Sequence, residues 1–176
     1  RTSRTSSPIS GSLLPTEALP HNSEDVVKSV TLQAELFEPG ALVTEFLRAA
    51  AGAGAAVTFT GIVRVDEGGS LKRLVIEHYA ELAESAIAEI VEGARVRFRL
   101  LDVAVIHRYG PMLPDEPIMQ VMTSAPHRAD AFLATEYLMD YLKTDAPFWK
   151  KEESAGGSRW VDAKTGDDTA RERWAE

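Results

Sequence analysis

An α+β domain, with a mainly antiparallel sheet and helices packed on it, is the fold class the sequence predicts. Stretches that alternate with period two are interleaved with stretches whose apolar residues recur at helical spacing. Chemistry able to turn a strand back on itself stands at 66–70 and again at 155–157. No phosphate-loop or dinucleotide fingerprint points instead to a doubly wound parallel sheet: Gly52-Ala53-Gly54 lacks the third glycine and the following helix. Hairpin-joined strands interrupted by helices are the mark of α+β architecture.

The elements follow in order. Val30 to Phe37 alternates as a strand, and Pro39-Gly40 opens a helix carrying Leu42, Val43, Phe46 and Leu47, broken by Gly52 to Gly54. Ala55 to Val65 is a largely apolar strand and Leu71 to Tyr79 its return. The glycines of Asp66-Glu67-Gly68-Gly69-Ser70 tolerate positive φ, so these two strands are expected to pair as a ribbon. Glu81 to Phe98 sets Ala83, Ile87, Ile90, Val91, Ala94 and Phe98 along one helical stripe. Leu101 to Arg108 and Pro117 to Ser124 are the next strands. Asp130 to Lys143 is a second long helix, with Phe132, Thr135, Leu138, Met139 and Leu142 expected inward. Trp149 to Glu153 and Arg159 to Ala163 form a closing hairpin around Ala155-Gly156-Gly157. Residues 1–28, rich in Ser, Thr and Pro over their first part, are expected to be a disordered tail, and 165–176 a polar tail or short helix. The folded domain is expected over 29–164.

Composition narrows the function. The longest apolar-leaning stretch, Ala49 to Val57, falls short of the roughly 20 residues that span a bilayer. The absence of cysteine removes disulfides, thiolate metal sites and a cysteine nucleophile, and is compatible with a reducing cytoplasm. A net charge of -8 argues against general nucleic-acid binding, whose affinity rests on phosphate neutralisation. An anionic ligand must therefore meet a local patch of cations.

Such a patch is legible at Lys143-Thr144-Asp145-Ala146-Pro147-Phe148-Trp149-Lys150-Lys151. Pro147 bars the α conformation at Ala146 and offers no N–H, so the helix should stop near Asp145 and leave Lys143 in its last turn. The helix dipole alone would favour a cation there. Strand alternation then sends Phe148 and Lys150 to one face and Trp149 and Lys151 to the other, giving Lys150 an aromatic neighbour. Partial burial and a second cation both lower the pKa of an ammonium, which is what a lysine nucleophile or proton donor needs near neutrality.

Other cations read less sharply. Arg64 ends an apolar strand, where a charge ordinarily marks the exit to solvent. His127-Arg128 sits at a helix start, where the dipole disfavours cations but free N–H groups bind anions, so the placement points to a ligand. His107-Arg108 reads as a structural hydrogen-bonding pair. His78 beside Glu77 carries no sharper message, and the histidines lack the paired spacing of a zinc site, so no metal is expected.

The segment from Lys143 to Glu152 resembles the signature of the large, catalytic subunit of molybdopterin synthase, as does Gly157-Ser158-Arg159-Trp160-Val161. Further matches run upstream: Val57-Thr58-Phe59-Thr60-Gly61-Ile62-Val63-Arg64, Leu74 to Tyr79, Val105-Ile106-His107-Arg108 and Ser124-Ala125-Pro126-His127-Arg128-Ala129. Their order and spacing fit that family over about residues 31 to 164, which is more specific than any one motif.

The resemblance implies an α/β-hammerhead-like core and sulfur transfer that converts cyclic pyranopterin monophosphate to molybdopterin. The sulfur would arrive as a thiocarboxylate on the C-terminal Gly-Gly of a small ubiquitin-like subunit. It further implies a homodimer within a heterotetramer, a cytoplasmic setting and no cofactor of the chain's own. On that reading Lys143 is nucleophile or acid/base, and Lys150 stabilises charge. Arg64 would bind the pterin phosphate together with His127 and Arg128 from the partner protomer. Arg159 is expected as a closing wall beside Trp160. Lys164 stands where the family favours an arginine reaching into the neighbouring site, and lysine keeps the charge but loses the bidentate fork. Asp145 departs from a position where a basic residue is common, and Ala80-Glu81 from a typical Pro-Gly. A non-catalytic scaffold for the ubiquitin-like subunit is the alternative these departures leave open, and a general anion-binding protein is a third reading without a phosphate loop to support it.

Overall fold

Two four-stranded sheets share the work of positioning the helix that ends at Lys143. The computed structural model describes residues 28–65, 68–161 and 170–174. The first sheet holds β1 (Val30–Gln33), β4 (Asp102–Arg108), β6 (Pro117–Ala125) and β2 (Ala55–Ile62), in that order. The second holds β5 (Gly110–Met112), β3 (Leu71–His78), β7 (Phe148–Ser154) and β8 (Gly157–Val161). Every pairing is antiparallel except β1 with β4. Three helices pack on the sheets, α1 (Pro39–Ala49), α2 (Ala80–Arg97) and α3 (Arg128–Thr144), and residues 170–172 are also helical. None is long and apolar enough to cross a membrane.

The period-two rule explains why β4 is almost continuously buried. Val103 and Val105 point into a cluster built by α2 and α3, with Ile87, Val91, Ala94, Leu138 and Leu142. Ala104 and Ile106 point the other way, onto Phe37, Phe46 and Met122 beneath α1. With helices on both faces, neither face of the strand can be polar. Each fully buried branched side chain contributes about 1.5–3 kcal/mol relative to exposure, so this central strand anchors the domain. A third cluster, Val63, Leu71, Leu74, Ile76 and Met112, backs the second sheet. Ile118 and Phe148 pack against both this cluster and the α2–α3 core, tying the two sheets together.

Three expectations are corrected. The ribbon between 55–65 and 71–79 does not form: β2 pairs with β6, from Ala55 opposite Ala125, while β3 pairs with β5 and β7. The register breaks between Gly61 and Ile62, after which Val63 donates its N–H to the Glu116 carbonyl and accepts from the Asp115 N–H, 2.9 Å each. With Val63 bound to that loop and buried in the second sheet's core, the chain has already left the first sheet before it returns. Phe132, expected inward, is 63% exposed, because the inner stripe of α3 runs through Ala131, Ala134, Thr135, Leu138 and Leu142. The first strand closes at Gln33 rather than Phe37, and Phe37 is instead a core residue packed under α1. Strand β5 had no sequence signal, since three residues are too few for alternation to show. The expected tail over 1–28 falls almost entirely outside the described residues, as do Asp66 and Glu67 of the expected turn, residues 162–163 of the last strand and most of 165–176.

Candidate active site

The site begins with the way α3 stops. Asp145 caps the helix, its N–H donating to the Tyr141 carbonyl at 2.8 Å, and Pro147 prevents another turn. The Phe148 N–H returns to the Ala146 carbonyl at 2.8 Å, a tight reversal that launches β7. Lys143 is thereby fixed in the last turn and Lys150 two residues into the strand, on the face of Phe148. On the opposite face, Trp149 meets Tyr79 edge-on at 5.5 Å. Lys151 there is paired with Glu77 at 3.6 Å and Glu153 at 3.8 Å and lies 5.5 Å from the Trp160 ring. Alternation thus separates a structurally committed lysine from one turned toward a cavity.

That cavity, about 150 Å³, is lined by Lys143, Lys150, Phe148, His107, Phe59, Gly61 and Ile62, with Met139, Leu142 and Ala146 of the α3 end. Drug-sized ligands occupy clefts of roughly 300–1,000 Å³, so the hollow suits a narrow group or the reacting end of a larger one. Gly61 packs tightly in its wall: a Cβ there would stand 3.0 Å from the Met119 side chain and 3.5 Å from Phe59.

His107 is the member that the sequence reading set aside. It is buried, and its ring stacks on Phe148 at 4.1 Å with 14° between planes. Its Nδ1 lies 2.8 Å from the Arg108 carbonyl, which can only accept, so Nδ1 carries the hydrogen and Nε2 the lone pair. Burial pushes this imidazole down to about 4, the charges of Lys150 and His78 act in the same direction, and the bond to Arg108 opposes them. At neutral pH it is a neutral acceptor in the cavity that Lys143 and Lys150 also line. Nothing in the pattern of β4 distinguishes His107 from its buried neighbours, so spacing alone could not have found it. Arg108 is structural, as expected: its Nη1 donates to Glu116 Oε2 and to the Pro117 carbonyl, both at 3.0 Å, and its Nε to the Ala34 carbonyl at 3.3 Å. The Glu116 carboxyl is held below its ordinary range by the Leu113 N–H and by Arg108.

The structure brings Lys143 and Lys150 to one cavity, whose lining includes none of the other expected site residues among those described. Arg64 is exposed, two residues beyond Ile62 of the cavity wall. His127 and Arg128 are exposed at the opposite end of α3, about 22 Å from Lys143 by helical rise. Arg159 is bound to Glu152 Oε2 through Nε at 3.0 Å and Nη2 at 2.7 Å, and it borders a separate hollow with Ser70, Leu71 and Ser154. Lys164 lies outside the described residues.

An acidic α+β chain with paired lysines at the mouth of a helix-end cavity has the equipment of an enzyme acting on an anionic substrate, and comparison makes the class specific. A family model described as MoaE protein matches residues 32–145, a span that includes Lys143 and stops short of Lys150. The molybdopterin synthase catalytic subunit of Cereibacter sphaeroides is 58% identical over 145 residues, covering 82% of this chain and 99% of that protein. The one from Caulobacter vibrioides is 46% identical over 145 residues, covering 82% and 96%. The solved structure of the molybdopterin biosynthesis MoaE protein from Burkholderia ambifaria superposes with a TM-score of 0.72 at 40% identity, covering 84% of this chain and 98% of that one. The chain belongs to this family, the catalytic subunits of molybdopterin synthase.

Proposed function

We propose that this chain transfers sulfur to cyclic pyranopterin monophosphate, building the dithiolene of molybdopterin from thiocarboxylate carried on the C-terminal Gly-Gly of a small ubiquitin-like subunit. The observation that carries the reading is the convergence of Lys143 and Lys150 on one cavity, walled by Phe148 and His107, in a chain whose net charge is -8. An extended Gly-Gly tail has no side chains and fits a hollow of about 150 Å³, whereas a whole pterin does not. Each thiocarboxylate sulfur forms a bond to a pterin side-chain carbon as a carbon–oxygen bond there breaks, one oxygen leaving with the opened cyclic phosphate and the other as water. Water then attacks the acyl carbon, the acyl–sulfur bond breaks with the sulfur kept on the pterin as a thiolate, and the small subunit leaves as a carboxylate. Lys143 acts at the acyl carbon, as nucleophile or as acid/base, and Lys150 stabilises the charge that develops. Neutral His107 adds no third positive charge and offers Nε2 as an acceptor.

The pterin phosphate is assigned to Arg64 together with His127 and Arg128 of a second copy, since about 22 Å separates the two ends of α3 within one protomer. Arg159 is assigned to a closing wall beside Trp160, and Lys164 to substrate binding in the neighbouring site. A homodimer with one small subunit at each end meets these requirements, and the relatives' description as a catalytic subunit supports a further subunit. A cysteine-free chain working on a soluble substrate suits the cytoplasm. Incubation with a thiocarboxylated small subunit and the cyclic pterin should yield dithiolene product. Tight binding of the small subunit with no product would make the chain a scaffold and overturn the proposal.

A further inference from the structure

Residues 170–174 lie against the end of α3, on the side away from the cavity, and are held there by side-chain, backbone and ring contacts. The Trp174 indole Nε1 donates to Asp140 Oδ2 at 2.7 Å. That same oxygen accepts from Arg173 through Nε at 3.1 Å and through Nη2. Arg173 also reaches Glu136, one turn earlier, at 2.9 Å. The Trp174 carbonyl accepts from Arg97 Nη1 of α2 at 2.8 Å, and its ring meets Phe98 at 5.9 Å and Tyr137 at 5.5 Å, both edge-on. Arg171 pairs with Asp145 at 2.9 Å and lies 5.2 Å from the Tyr141 ring.

The contacts fall on Glu136, Asp140, Tyr141 and Asp145, while Met139, Leu142, Lys143 and Ala146 of the same two turns line the cavity. One face of the helix end is grasped and the other face works. The arrangement also gives Asp145, the residue that caps the helix, a matched charge in Arg171. An exposed ion pair alone would hold little. A tryptophan at 9% exposure, with its N–H, carbonyl and ring all engaged, is a different matter.

We infer that residues 170–174 are a latch that positions Lys143, with Arg171, Arg173 and Trp174 acting through the last turns of α3 rather than touching substrate. The inference rests on the sulfur-transfer reading for its activity readout. Helix ends fray more readily than helix interiors, so the contacts on Glu136, Asp140 and Asp145 add to the hold of the proline-terminated turn, and small misplacements of a reacting group cost about 100-fold in rate.

The test uses the full chain with a thiocarboxylated small subunit and the cyclic pterin. Trp174→Phe keeps the ring and deletes the bond to Asp140; it and Arg171→Asp should each lower kcat by about tenfold, with KM and small-subunit affinity changed by less than about twofold. Combining Arg171→Asp with Asp145→Arg reverses the pair and should restore most of the lost kcat, a rescue that general destabilisation would not show. Amide exchange at residues 141–146 should quicken in the single variants and recover in the reversed pair, independently of activity. Unchanged exchange there, or wild-type kcat in both single variants, overturns the latch, as does a loss of kcat that the reversed pair fails to repair in a folded protein. An inactive wild-type chain would instead overturn the sulfur-transfer reading and leave the exchange result to decide the latch.

Discussion

The two ends of helix α3 carry the same kind of charge in opposite settings. At the C-terminal end Lys143 sits where the helix dipole welcomes a cation, beside a cavity, with Lys150 and a buried neutral imidazole as neighbours. At the N-terminal end His127 and Arg128 sit where the dipole opposes them, exposed, and His127 makes no capping bond through its side chain. One end meets a cavity built by its own fold. The other holds two cations against the dipole with no capping bond from His127 in return. The difference teaches that the dipole accounts for a cation at one end and leaves the pair at the other to be explained from outside the helix, which the proposed second copy would supply.

The comparison breaks most visibly in a mixing experiment. On the proposed homodimer, Lys143→Ala and Arg128→Ala should each be nearly inactive, yet an equal mixture allowed to exchange subunits should recover about a quarter of wild-type activity, because each hybrid keeps one intact site. No recovery despite demonstrated exchange would place both residues in one protomer's site. Lys150→Ala should lower kcat by about 100-fold while sparing small-subunit binding, with Lys150→Arg intermediate, as measured by single-turnover product formation.

His107 sharpens the same contrast through pH. Its folded value of about 4 lies below its ordinary 6.5, so the unfolded chain binds the extra proton more readily. The stability it contributes is complete above about pH 6.5 and is lost as pH falls toward 4, by roughly 3 kcal/mol at most. Urea titrations at pH 7 and pH 4.5 should show that fall in the wild type and a smaller one in His107→Leu. The smallest effect is expected at Arg159: its ion pair with Glu152 is exposed, so Arg159→Ala should shift stability by less than about 1 kcal/mol, read from the urea midpoint.

Local rules made much of this molecule legible. Proline chemistry at Pro147 located the end of α3, and alternation in β7 correctly separated Lys150 from Lys151. Both are decided within a few residues. The partner of β2 was not legible, because the turn chemistry at 66–70 is compatible with a hairpin and only the long-range capture of Val63 by residues 115–116 rules one out. Phe132 misled for a related reason: a helical stripe admits neighbours about 100° apart, and the sheet beneath α3 chose Ala131. His107 required knowledge of which strand end faces α3, and the latch of Trp174 on Asp140 joins residues 34 apart.

The central claim is that Lys143, at the mouth of this cavity, performs the chemistry of sulfur transfer. Dithiolene formation by Lys143→Ala, measured in a single turnover with thiocarboxylated small subunit and cyclic pterin, tests it most directly. The account predicts almost no product from a folded variant that still binds the small subunit with wild-type affinity, and near-normal turnover would contradict it.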